Sequence, residues 1–74
     1  MEKAQALVAA LGGPENIKDI EACITRIRVE VGTTENVSEA ALKDAGAYGV
    51  VIQNNEVVQV ILGPDAEDLA EKMR

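Results

Sequence analysis

From Arg26 to Val31 the chain reads R-I-R-V-E-V, with apolar and polar side chains in strict alternation. Successive side chains of a strand point to opposite faces, so Ile27, Val29 and Val31 line one face while Arg26, Arg28 and Glu30 line the other. A sheet containing this strand is packed on one face and open on the other. The polar face carries two of the chain's three arginines, and the only cysteine, Cys23, lies just before them.

That grouping has a chemical meaning. Residues two apart on a strand are separated by roughly 6.6 Å, so the guanidinium groups of Arg26 and Arg28 can converge on one tetrahedral anion. Each presents a planar fork of donors suited to phosphate. The same positive charge favours thiolate over thiol and makes Cys23 a better nucleophile. If Cys23 to Arg26 forms a tight turn between two strands, the N–H groups around Ile24 and Thr25 add an anion-binding nest, and the Thr25 hydroxyl is a further donor. A plainer reading stands beside this one: free cysteines are among the most buried residues, and two outward arginines describe a solvated face.

Size bears on how such a site is supported. Seventy-four residues make one small domain near the lower limit for a single hydrophobic core. One cysteine excludes an intramolecular disulfide, and the lack of histidine excludes a cysteine-histidine zinc site. Tyr48 is the only aromatic residue, so the core is built from Val, Ile, Leu and Ala. With 13 acidic against 7 basic side chains the formal charge is −6, which argues against nucleic acid or an anionic membrane as partner. No segment approaches the roughly 20 apolar residues of a membrane span, and no signal sequence is evident. A lone thiol suits a reducing compartment, so a soluble, cytoplasmic protein is expected.

Along the chain, residues 2–11 have the spacing of an amphipathic helix through Ala4, Leu7, Val8 and Leu11, stopped by Gly12-Gly13-Pro14. Residues 17–23 form a strand whose face pattern slips, because Ile17 and Ile20 are out of phase; a bulge or a late start near Asp19 is expected. Only Ile24 and Thr25 separate it from the alternating strand, and neither is favoured in the usual two-residue turns. After a polar connection, Asn36 with Glu39, or else Ser38, caps a short helix running to about Ala45 and closed by Gly46. Residues 48–53 and 56–62 are strands joined by a two-residue turn at Asn54-Asn55. Gln59 interrupts the second of them, either on the solvent face or as a donor to something bound. Pro64 opens a last helix with Ala66, Leu69, Ala70 and Met73 on one side. The order αββαββα implies an α+β fold, a four-stranded antiparallel sheet with three helices on one face.

Several runs carry a resemblance to a known family: L-G-G-P-E-N-I, D-I-E-A-C-I-T-R-I-R-V-E-V, A-A-L-K-D-A-G-A-Y-G-V-V and V-Q-V-I-L-G-P. Together they resemble the enzyme IIB domain of the glucose and N-acetylglucosamine branch of the bacterial phosphoenolpyruvate-dependent sugar phosphotransferase system, over about Lys3 to Lys72. Ile27, where that family usually has Leu, is a mild departure. The resemblance implies a split α/β sandwich spanning 1–74 as one phosphocarrier domain. It implies that Cys23 accepts a phosphoryl group from a phosphohistidine of a IIA protein and passes it to a glucose-type sugar bound by the membrane permease IIC. Arg26 and Arg28 would surround the group and matter chiefly for the onward step. Ile24 and Thr25 would border it, while Gln59 and Gly63 belong to matching segments and are candidates for phosphate contact. No cofactor and no metal is implied, and the domain would work at the inner face of the membrane as a free-standing protein or a piece of a longer one. The alternatives are a non-catalytic regulatory or interaction module of the same fold and a redox-sensing thiol.

Overall fold

Ile27, Val29 and Val31 are completely buried while Arg26 and Arg28 are exposed, as the alternation predicts, in a computed structural model that describes residues 2–74. They belong to strand β2 (Arg26–Val31), which with β1 (Ile17–Ala22), β3 (Gly49–Ile52) and β4 (Val57–Ile61) forms one sheet in the order β1-β2-β4-β3. All neighbouring strands are antiparallel. Three helices, α1 (Lys3–Ala10), α2 (Glu39–Asp44) and α3 (Ala66–Met73), complete the αββαββα order.

The core lies between sheet and helices. Ile20, Ile27, Val29, Val31, Val58, Val60 and Leu62 supply the sheet side, and Ala4, Leu7, Leu42, Ala66, Leu69, Ala70 and Met73 the helix side. Burying each large aliphatic side chain contributes about 1.5–3 kcal/mol, and without a disulfide or aromatic stack this burial carries the stability. The anticipated slip in β1 is a bulge. Ile17 pairs with Val31 but Asp19 already pairs with Glu30, so Lys18 is the additional residue. The extra residue lets both Ile17 and Ile20 pack on the core although they are three apart.

Several local details are decided only in the folded chain. Of the two candidate caps for α2 it is Ser38 that serves, its Oγ accepting from the Ala41 N–H at 3.1 Å, while Asn36 closes a preceding 3-10 turn, Thr34–Asn36. The β3–β4 loop has three residues rather than two. Gln53 N–H donates to Val57 O at 3.0 Å, leaving Asn54, Asn55 and Glu56 in the loop. No non-glycine residue adopts positive φ among the described residues, so the asparagines are not used for left-handed backbone. Instead Asn54 Oδ1 accepts from Glu56 N–H at 2.8 Å, a side-chain bond that takes the place of a backbone turn. Tyr48 stands just before β3 rather than within it, and Gly63–Asp65 forms a 3-10 turn that delivers Pro64 ahead of α3.

Candidate functional site

Strand β1 ends at Ala22, so Cys23, Ile24 and Thr25 make the connection to β2. Cys23 N–H donates to Arg26 O at 2.7 Å, which continues the β1–β2 register by one step and sets Cys23 opposite Arg26. Because Ile24 and Thr25 both keep negative φ, this is neither of the turn types usual for a two-residue hairpin. It is held from the side instead. The Thr25 carbonyl accepts from both Leu62 N–H and Gly63 N–H, each at 2.9 Å, fastening the tip of the hairpin to the end of β4. Ile24 and Thr25 N–H groups have no acceptor among the described residues and remain available to an anion. The Cys23 N–H, by contrast, is already committed.

Gly63 makes that fastening possible. Its φ is +70°, and a Cβ there would stand 2.6 Å from Tyr48 Cε2, so the aromatic ring lies directly on the glycine. Of the candidate phosphate contacts, Gly63 thus spends its N–H on Thr25 and lies buried beneath Tyr48.

The open face of the sheet collects the remaining candidates. Paired residues share a face, so Arg28 stands between Glu21 of β1 and Gln59 of β4, and Arg26 stands opposite Ile61. Cys23 is exposed, as are Thr25, Arg26 and Arg28, which excludes the reading of the thiol as a core residue. Gln59 is half-buried, and its Oε1 accepts from Arg26 Nη1 at 2.8 Å. Ile24 (83% exposed) and Tyr48 (74% exposed) flank the hairpin tip as unprotected apolar groups.

Two residues near this site escaped the sequence reading. Glu21 could have been found, since it lies two positions before Cys23 and shares its face by simple alternation. Tyr48 could not: its approach to Gly63 joins segments fifteen residues apart. Three surface hollows of about 310, 260 and 390 Å³ are lined by α1, α2, α3 and the β1 edge, away from Cys23. Among the described residues no group of three or more His, Cys, Asp or Glu could hold a metal ion, and no helix is long and apolar enough to cross a membrane.

A family model described as phosphotransferase system, EIIB, matches residues 5–38, a span that contains Cys23, Arg26 and Arg28. The N-acetylglucosamine-specific EIIB component of Streptomyces coelicolor is 51% identical over 71 residues, covering 96% of this chain and 91% of that protein. The chain belongs to the EIIB family of the phosphotransferase system. Within the family it lies in the glucose and N-acetylglucosamine branch that its residues resemble. The N-acetylglucosamine-specific EIICBA component of Klebsiella pneumoniae is 46% identical over 96% of this EIIB chain, which spans only 11% of that longer protein. A crystal structure of one domain of the IIabc component from Clostridium difficile superposes with a TM-score of 0.80 at 26% identity, covering 96% of the present chain and 74% of that one. That likeness covers nearly the whole of the present fold.

Proposed function

We propose that residues 1–74 form one phosphocarrier domain in which Cys23 carries a phosphoryl group between two protein partners during sugar uptake. The observation that carries this reading is an exposed cysteine at a hairpin tip, opposite Arg26, with Arg28 on the same sheet face and two unspent backbone N–H groups beside it. In the first step the Cys23 thiolate attacks phosphorus in line. An S–P bond forms as the N–P bond to the donor histidine breaks, and the freed imidazole takes up a proton from solvent. Arg26, Arg28, the Ile24 and Thr25 N–H groups and the Thr25 hydroxyl stabilise the charge spread over the equatorial oxygens. In the second step a sugar hydroxyl attacks the same phosphorus, the S–P bond breaks, and the hydroxyl proton leaves with the departing thiolate or to water.

The donor is an EIIA phosphohistidine and the acceptor is a sugar presented by EIIC. Long relatives whose names join C, B and A in one chain support these partners, and their names favour N-acetylglucosamine over glucose. Through EIIC the domain works on the cytoplasmic side of the membrane. A site lying on an open sheet face rather than in a deep cavity suits a group that two proteins must reach in turn.

Incubation with phosphoenolpyruvate and the upstream components should add one phosphate to the wild type and none to Cys23→Ser, read by phosphorus NMR and intact mass. Equal labelling of both would defeat the proposal.

A further inference from the structure

The two arginines are not equivalent, and the difference lies in Gln59. Arg26 donates through Nη1 to Gln59 Oε1 at 2.8 Å, whereas Arg28 makes no side-chain hydrogen bond among the described residues. Gln59 is the direct cross-strand partner of Arg28, yet its amide oxygen turns diagonally to Arg26. Every other residue of β4 is apolar, V-V-Q-V-I, and on its open face Gln59 lies between Val57 and Ile61 with Val51 of β3 opposite. An apolar side chain would suit the strand as well or better. The amide therefore calls for a reason beyond solvation, and the guanidinium it binds supplies one.

A guanidinium has five N–H donors in a fixed plane, and Gln59 occupies one of them, leaving the rest for an anion. Gripping Arg26 at one nitrogen restricts a long side chain before any ligand arrives, so less rotamer freedom is lost on binding. The grip also comes from a neutral acceptor. A carboxylate at the same place would hold Arg26 too, but by opposing the charge needed for the phosphoryl group.

We propose that Gln59 is a positioning residue that acts through Arg26, holding that guanidinium ready for the phosphoryl group while Arg28 is left free to close on it. This rests on the phosphoryl-carrier reading, and it assigns Gln59 a role other than direct contact with the phosphate. Its partner is a side chain of this protein, and its neutrality is part of its function.

A double-mutant cycle on the full chain tests it, with Gln59→Met and Arg26→Ala singly and together, and the rate of phosphoryl arrival from phosphorylated EIIA as one readout. With Arg26 present, Gln59→Met should slow arrival roughly 3- to 10-fold, the range for the net contribution of one solvent-exposed hydrogen bond. With Arg26→Ala the same substitution should change the rate by less than about 2-fold. An equal loss in both backgrounds would overturn the proposal, because Gln59 would then be acting on the phosphoryl group itself or on the fold. Gln59→Glu should also slow arrival although the tether is kept, and wild-type rates there would remove the claim that neutrality matters. The second readout needs no phosphoryl chemistry. Nitrogen-15 spectra of the Arg26 guanidinium should show restricted rotation in the wild type and in Gln59→Glu but averaging in Gln59→Met. Identical line shapes in wild type and Gln59→Met would overturn the tether. A wild type that takes no phosphate yet shows the restricted Arg26 signal would sink the carrier reading and keep the tether.

Discussion

Thr25 acts on the fold through its carbonyl, which takes two N–H groups from Leu62 and Gly63 and holds the cysteine-bearing turn in place. The fastening depends on Gly63 having no side chain. Gly63→Ala forces a methyl group toward the Tyr48 ring at a positive φ, and should cost about 1–3 kcal/mol in urea unfolding. A truncated ring relieves the collision but not the backbone strain, so Tyr48→Ala should recover only part of the loss. Arginine chemistry is testable at the same scale. Arg26→Lys and Arg28→Lys retain charge but not the planar fork, so both should slow the arrival of phosphate at Cys23 several-fold and its passage on to sugar about 10-fold or more. Unchanged sugar phosphorylation would remove the fork from the mechanism.

Among the elements, the connection between α1 and β1 is organised by a buried polar side chain. Asn16 Nδ2 donates to Leu11 O at 2.7 Å and to Thr33 O at 3.0 Å, while its Oδ1 accepts from Thr33 N–H at 3.1 Å. One amide thus joins the end of α1, the start of β1 and the segment after β2. Gly12 lies against it, where a Cβ would be 2.7 Å from Asn16 Nδ2. Asn16→Ala leaves three backbone groups without their partner and should cost roughly 2–4 kcal/mol, measured by chemical unfolding. The clamp lies at the opposite end of β1 from Cys23. The folded fraction of that variant should therefore accept phosphate at the wild-type rate.

For the whole molecule, charge and size act together. The chain measures 27 × 24 × 20 Å with a formal charge of −6, so at about 10 mM salt, where screening acts over about 30 Å, every charge feels the others. Raising salt toward 1 M relieves that repulsion and should raise the urea midpoint. The same change should weaken binding of inorganic phosphate at Arg26 and Arg28, followed by NMR titration. Opposite signs for stability and anion binding are the expected signature. A parallel rise in both would show that the arginine face does not bind its anion electrostatically.

Much of this was legible along the chain because it rests on periodicity and composition. The alternation at 26–31 set a half-covered sheet, and the phase slip between Ile17 and Ile20 left a bulge or a late start near Asp19, of which the bulge, at Lys18, is present. The grouping of Cys23, Arg26 and Arg28 depended on neighbours within six residues, where strand geometry alone aligns side chains. The turn at Asn54 was misjudged because a side-chain bond competes with left-handed backbone, and residue type does not tell which wins. Beyond that, folding decided what adjacency could not. The Thr25 carbonyl held by Leu62 and Gly63, the Tyr48 ring on Gly63 and the Arg26–Gln59 bond each join segments far apart in the chain. Such contacts depend on which strands become neighbours, and the order β1-β2-β4-β3 is set by the packing of the whole core.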